Sequence, residues 1–329
     1  LLSDTICDQN NPEPLPPLKV DEPTISMTFQ VNKSPFSGID GKFVTSRQIS
    51  ARLDQELKRN VALRVEATDD AEKFVVSGRG ELHLGILIET MRREGYELAV
   101  SRPAVIYKNV DGQRMEPWER LTVDFDGDYQ GAVMSRIAER KGKLETMTPD
   151  GRGRVRLEYS IPARGLIGFR TEYLTATAGT GLIYHAFEQY EPCIDADIGR
   201  RSNGVLVSMA AGKSLAYSLF TLQERGSLFI GHSTDVYEGM IIGIHSRQSD
   251  LTVNPTKAKQ LTNIRAAGTD ENLLLTPPII LSLEQALEFI DDDELVEITP
   301  KNIRLRKMYL KETDRKRNAR LLSAARATG

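Results

Sequence analysis

The residues that could do chemistry are few. Ala210-Ala-Gly-Lys-Ser214 ends in the Gly-Lys-Ser that closes a phosphate-binding P-loop. That loop needs a first glycine five positions before the last one, so that successive amides can curl round the phosphates. Position 207 is Val, and the residues before it alternate like a strand. The residues after it, SLAYSLF, also read as strand. The pattern favours a hairpin turn that uses the permissive backbone of Gly212. Phosphate contact stays as the rival, and with it a nucleotide-using enzyme.

The second stretch is Ser77-Gly-Arg-Gly-Glu-Leu-His-Leu84. It reads as a strand, a glycine-rich turn and a helix start, with Glu81 favourable to the helix dipole. Glu81 and His83 suggest acid–base chemistry or a metal. Two positions apart on a helix, however, their side chains face different ways. His185, His232 and His245 are isolated in strand-like contexts and read as packing positions. Asp291-Asp-Asp-Glu294 carries four consecutive acids, which do not converge on a cation as metal ligands do. Pairing with the basic end of the chain, or solvation, is expected instead. Cys7 and Cys193 are far apart, with neither metal-ligand nor disulfide-framework spacing, which suits a reducing cytoplasm.

The elements that must position these residues follow from periodicity. Thr24–Val31 alternates as a half-buried strand. Thr45 and Gln48 have capping-box spacing and open a helix to about Arg59. Strands at 61–65 and 74–76, a helix over 81–93 stopped by Gly95, and a strand at 96–100 complete a βαββαβ unit. The order then recurs: a strand at 121–125, a helix over 129–141 ended by Gly142, a hairpin of 144–147 and 154–161 across Pro149-Asp-Gly151, a helix over 166–178, and a strand at 182–190. Beyond residue 191 the texture becomes mainly β. Strands are expected at 204–208, 214–222, 240–244, 273–281, 294–298 and 303–308. One helix is opened by the capping box Ser282–Gln285, and a charged helix closes the chain. The fold class is α+β: two ferredoxin-like βαββαβ domains, then a mainly β domain with a few helices.

At 329 residues the chain is long enough for two or three domains, and a net charge of −3 does not advertise nucleic-acid binding. Charge is nevertheless uneven: 301–329 carries ten basic and two acidic residues. No stretch has the roughly 18 consecutive apolar residues of a membrane span, so no membrane partner is expected. Five prolines between 12 and 23 read as a stiff linker, and the chain opens without Met, as part of something longer would.

These segments resemble a known family. SGRGELHLGILIETMRREGYELAVSRPAVIYK is similar to domain III of elongation factor G passing into domain V. YQGAVMSRIAERKGKLETM and IPARGLIGFRTEYLTATAGTG are similar to the helices of its domain V with their neighbouring strands. NGVLVSMAAGKSLAYSLFTLQERGSLFIGHSTDVYEGMIIGIHSR and LEQALEFIDDDELVEITPKNIRLRK resemble the C-terminal domain of the BipA/TypA family of ribosome-associated translational GTPases. The resemblance implies this division: 1–22, the end of a β-barrel and the proline-rich linker; 23–102, domain III-like; 103–191, domain V-like; 192–320, the BipA-specific domain; 321–329, a tail. It implies a parent whose GTPase domain, with GTP and Mg²⁺, lies outside this chain, so the chain itself is expected to be no enzyme and to hold no cofactor or metal.

The resemblance also implies the partners: the 70S ribosome or 50S subunit, its rRNA and the acceptor end of an A-site tRNA, met by a cytoplasmic monomer. Roles in large-subunit assembly and in translation under stress or cold come with it. The segment 246–268 carries Arg247, Lys257, Lys259 and Arg265 against one acid, and has no aromatic residue for base stacking. By resemblance it reaches toward the peptidyl-transferase region; a plain basic surface loop is the other reading. Arg136, Arg140, Lys141, Arg164 and Arg170 of the second unit would face the factor-binding rRNA, or form an ordinary solvated face. The basic tail has the same alternatives, with folding back on the acids as a third. A protein-interaction scaffold without RNA contact is the remaining rival.

Overall fold

The computed structural model describes residues 7–8, 22–196, 198–199, 201–258 and 273–328. The linker expected around Pro12–Pro17 lies outside them.

The first unit is β1 (Ile25–Gln30), α1 (Ser46–Leu57), β2 (Arg64–Ala67), β3 (Lys73–Gly78), α2 (Glu81–Glu94) and β4 (Leu98–Val100). Its antiparallel order is β4-β1-β3-β2, that of a split βαβ sandwich. The capping box at Thr45 is present: Gln48 N–H donates to the Thr45 hydroxyl, and the Gln48 side chain accepts from Thr45 N–H. Met27, Phe29, Ile49, Leu53, Ile88 and Met91 fill the space between helices and sheet. Each such side chain contributes about 1.5–3 kcal/mol by leaving water.

Two short strands, β5 (Ala104–Val105) and β6 (Lys108–Val110), lead into the second unit. This comprises β7 (Gln113–Asp126), α3 (Gln130–Glu139), β8 (Lys143–Pro149), β9 (Arg154–Pro162), α4 (Phe169–Ala176) and β10 (Leu182–Pro192), ordered β10-β7-β9-β8. Leu121, Val123, Phe125, Leu157, Phe169 and Tyr173 form its separate core. Two local expectations need correction. The stop of α3 is Lys141, at φ 65, not Gly142. Gly142 is there for space, since a Cβ would lie 2.4 Å from Ile137 Cγ2. The helix expected from Leu166 begins at Phe169, after a 3-10 turn at Ala163–Gly165.

The last third contains β11 (Val205–Ser208), β12 (Gly212–Lys213), α5 (Ala216–Leu222), β13 (Gly226–Leu228), β14 (Asp235–Val236), β15 (Met240–His245), β16 (Leu251–Val253), α6 (Leu283–Phe289), β17 (Glu294–Ile298), β18 (Ile303–Lys307) and α7 (Glu312–Thr328). Residues 214–222, expected as strand, are largely the helix α5, because Ser218, Leu219 and Leu222 bury one helical face. Residues 273–281 form no strand. Pro277 and Pro278 have no N–H to give a ladder, and Ile279 N–H to Leu228 O (2.8 Å) is the link to β13. Alternate residues of β11 enter different cores, Val205 and Val207 on one side and Leu206 on the other, so this sheet is covered on both faces.

Periodicity gave no hint that the first unit and this last third share a sheet. β17 pairs with β4, Val296 opposite Val100 and Ile298 opposite Leu98, while β4 pairs with β1 on its other edge. Eleven described strands thus form one sheet. Beside the seam, Glu97 is fully buried and accepts from the amides of Gly38 (2.7 Å), Asp40 (3.0 Å) and Gly41 (2.6 Å). The tethered loop reaches across the seam, where Asp40 accepts from Thr299 Oγ1 and Asn302 Nδ2 at 2.9 Å each. On the helical side, Glu294 is fully buried between Arg201 and Lys307, and Lys307 also meets Asp293 (2.9 Å) and Asp250 (2.6 Å). The acidic run therefore pairs with Lys307 from the basic end of the chain, and Asp291 faces Arg102 at 3.6 Å.

The second unit docks through its 163–168 turn, whose Ala163 and Ile167 enter the core shared by α2 and α6. Glu81 of α2 meets it there. The Gly168 amide donates to Glu81, yet its enclosed Oε2 has no partner among the described residues. Burial first, then the Glu288 carboxylate of α6, push the Glu81 carboxyl up to about 7. Burial also raises Glu288, against a hydrogen bond from Thr171. Burial alone would lower His185. Its hydrogen bond to Glu119 (2.5 Å) and the charges of Glu119 and Glu81 outweigh that and raise it, against Arg170.

Two expectations follow. Glu97→Ala leaves three amides without their carboxylate and should cost about 3 kcal/mol or more. Thermal melting should fall by roughly 6 °C relative to wild type, at roughly 2 °C per kcal/mol for a chain of this size; an unchanged melting temperature would contradict the clamp. For the junction, all three shifts are upward. Their stabilisation is complete below the ordinary carboxylate range and is lost as pH rises through about 7. Asp40, Asp70, Glu89 and Glu294, held low, titrate beneath that window, while burial lowers His83, whose contribution rises with pH and offsets part of the decline. Melting at constant ionic strength should therefore decline from pH 5 to pH 8, and Glu81→Gln should flatten most of that decline.

Candidate nucleic-acid interface

The AAGKS turn is built as part of the β framework. Val207 is a buried residue of β11, and Gly212 takes φ 140. Gly212 and Lys213 pair with Val236 and Asp235 of β14, so this is not a hairpin with an adjacent strand. The helix after it gives the strand–turn–helix order of a P-loop. Its amides, however, are committed elsewhere: Ala210 N–H to Ser208 Oγ (3.3 Å), Ser214 N–H to Thr234 O (2.9 Å) and Leu215 N–H to Pro255 O (2.9 Å). The Ser214 hydroxyl donates to Gly231 O (2.7 Å) and accepts from Thr234 N–H (3.0 Å). With the amides of Ala210, Ser214 and Leu215 committed, the turn lacks the unbroken run of N–H groups that cradles a phosphate in a P-loop.

In SGRGELHL the two candidate groups part. Glu81 turns to the junction, and His83 Nε2 lies 2.7 Å from Asn60 Nδ2. Among the described residues no three His, Cys, Asp or Glu side chains are grouped to hold a metal ion. No described helix is long and apolar enough to cross a membrane.

The nine cationic candidates separate by environment. Arg164 is anchored inside: Nε to Glu116 Oε2 (2.6 Å), Nη2 to Glu116 Oε1 (3.2 Å), Nη1 to Ala196 O (2.5 Å) and Nη2 also to Ile194 O. Arg140 is buried. It donates to Gly165 O (2.7 Å) and Ile167 O (2.9 Å) and pairs with Glu172 (3.1 Å). Arg136 lies on the same helical face and meets Glu172 at 3.7 Å, half exposed. Lys141 and Arg170 are exposed. These five gather round the docking turn, so two guanidinium groups position that turn and three cations line its edge.

Arg247 and Lys257 are exposed at opposite ends of β16, with no carboxylate partner among the described residues. Lys259 and Arg265 lie outside the described residues. The stem of this loop is fixed: Thr256 N–H and Oγ1 donate to Asn254 Oδ1 (2.9 and 2.8 Å), and Ser218 Oγ of α5 donates to Asn254 O (2.5 Å). A Cβ on Gly212 would lie 3.5 Å from Thr256 Cγ2, which brings exposed Lys213 beside the stem. On α5, whose Ser218 holds the stem, Tyr217 and Phe220 are 39% and 36% exposed. Sequence reasoning weighed Lys213 only as part of a P-loop and missed both rings, because α5 read as a strand and the stem lies far from it in the chain.

The comparisons with known proteins agree with this organisation. Residues 113–199 match the model of the elongation factor G C-terminus, and residues 203–312 match the TypA/BipA C-terminal domain. The large ribosomal subunit assembly factor BipA of Salmonella typhimurium is 62% identical over 316 residues, 96% of this chain and 52% of that protein. The Escherichia coli K12 protein of that name gives the same figures, and the Haemophilus influenzae one is 61% identical over 96% of this chain and 51% of its own. The chain spans about half the length of the curated relatives it matches. These matches identify the chain as a member of the BipA/TypA family.

Proposed function

We propose that this chain is the ribosome-docking, non-catalytic part of a large-subunit assembly factor of the BipA type. The observation that carries this reading is the identity of about 60% with proteins named for that role, along almost all of the chain. In this reading GTP and Mg²⁺ belong to the part of such relatives that this chain does not match, and no step of hydrolysis uses the residues present. Residues 23–102, 103–191 and 192–320 act as three units joined through the shared sheet and the docking turn. The partners are the 50S subunit or 70S ribosome, its rRNA, and the acceptor end of an A-site tRNA. The chain works as a cytoplasmic monomer, with a part in assembly and in translation under stress.

Contact is assigned to Lys213, Arg247 and Lys257, with Lys259 and Arg265 in the same loop. Exposed cations without a carboxylate partner neutralise phosphate without first breaking an ion pair. Tyr217 and Phe220 beside them suit the stacking of unpaired bases. Arg136, Lys141 and Arg170 form a second, weaker contact at the edge of the docking turn, while Arg140 and Arg164 hold that turn in shape.

Co-sedimentation of the chain with purified ribosomes across a salt series tests this. Replacing Lys213, Arg247 and Lys257 together by Ala should weaken binding and reduce the slope of log K against log salt by about 2 to 3. Binding that is insensitive to salt and unchanged in the triple variant would favour a protein scaffold instead.

A further inference from the structure

On the face of the large sheet opposite α2 and α6 lies a cleft of about 310 Å³. Arg306 lines it. Arg306 alternates with Leu305, a residue of the helical core, and so points to the other side. Lys33, Asp70, Glu72, Lys73 and Tyr309 are among its walls.

Three cationic side chains are described as buried: Arg140, Arg306 and Lys307. Arg140 has Glu172, and Lys307 has Glu294, Asp293 and Asp250. Arg306 is 3% exposed and has no carboxylate within ion-pair reach among the described residues. Its Nη1 donates only to carbonyls, Lys307 O at 3.2 Å and Met308 O at 3.5 Å, and its Nε has no acceptor. The acids in the cleft do not turn to it, because Glu72 is paired with Lys33 and Asp70 with Lys73 (3.1 Å). A further enclosed donor without an acceptor adjoins the same wall. Arg315 Nη2 belongs to a side chain whose Nη1 donates to Tyr309 O (3.1 Å) and Leu310 O. Burial pulls the Arg306 guanidinium below its ordinary range, and nearby Tyr237 and Glu297, neither within ion-pair reach, offset this only in part.

A buried guanidinium without a counter-charge is unfavourable unless something supplies one. Its planar fork matches two oxygens of a phosphate, and with Lys33 and Lys73 at the rim paired to Glu72 and Asp70, Arg306 carries the net positive charge of the cleft. We propose that this cleft is a phosphate-binding site with Arg306 at its floor. The cleft exceeds a bare phosphate in size, so it fits a phosphate carried by a larger group, either a free nucleotide or an RNA backbone. The site is distinct from the loop assigned to rRNA above and does not depend on that assignment.

The test uses the whole chain with inorganic phosphate, adenosine monophosphate and a ten-nucleotide single-stranded RNA as probes, at matched ionic strength. Wild type should bind adenosine monophosphate, and Arg306→Met should weaken that at least tenfold while melting no lower than wild type, since it removes an unpaired buried charge. Arg306→Lys, which keeps the charge without the fork, should fall between them. If the phosphate comes from RNA, Arg306→Met also lowers the salt slope of RNA binding by about 1; if it is free, that slope is unchanged. Should Arg306→Met fail to fold, the double variant Lys33→Gln with Lys73→Gln must still weaken the small probes severalfold. Equal binding of the probes by all variants, or none by wild type, would overturn the site. So would a melting loss in Arg306→Met, restored by Arg306→Lys, with no effect of phosphate on either, which would make Arg306 purely structural.

Discussion

Leu98, Ala99 and Val100 carry the architecture. This three-residue strand gives one edge to β1 and the other to β17, so a segment of the first unit is also an interior strand of the C-terminal sheet. A strand paired on both edges has no free amides or carbonyls along its length. The first unit and the last third therefore cannot swing apart without breaking a ladder in the middle of a sheet. Glu97, next in sequence, converts that backbone seam into a three-dimensional joint by tying the 38–41 loop, which then reaches Thr299 and Asn302.

The second unit depends on this joint without belonging to it. Its own core is closed, and it reaches the others through Ala163 and Ile167, which enter the space between α2 and α6. Those two helices are neighbours because β4 and β17 are neighbours. The carboxyls at that junction, Glu81 and Glu288, approach each other because their helices do, and the resulting burial makes the contact sensitive to pH.

Charge follows the same division. Arg140, Arg164, Arg201 and Lys307 look in the sequence like any other cations, yet each ends enclosed beside a carboxylate and holds two segments together. Lys213, Arg247 and Lys257 end at the surface with none among the described residues. Arg and Lys have long stems and serve both ends, so residue type alone does not separate a clamp from a contact. Of the five cations around the 163–168 turn, Arg140 and Arg164 are clamps, and Arg136, Lys141 and Arg170 stay at the surface.

Local order was legible in the sequence because it rests on short-range physics. The capping boxes at Thr45 and Ser282, the alternation of β1, the hairpin at 149–153 and the apolar faces of α1, α2 and α3 each specify one element within a few residues. Both βαββαβ units followed from these, as did the absence of a glycine where a P-loop needs one. Where two local signals compete, they failed. SLAYSLF satisfies both periods, and its helix was chosen by a core made of distant residues; the 273–281 segment has the apolar content of a strand but two prolines where its donors should be. The pairing of β4 with β17, the burial of Glu97, the meeting of Lys213 with the 254–257 stem and the isolation of Arg306 were decided by tertiary structure alone, because each joins segments whose separation along the chain leaves no periodic trace, and the energy that selects them is that of burial and pairing across the fold.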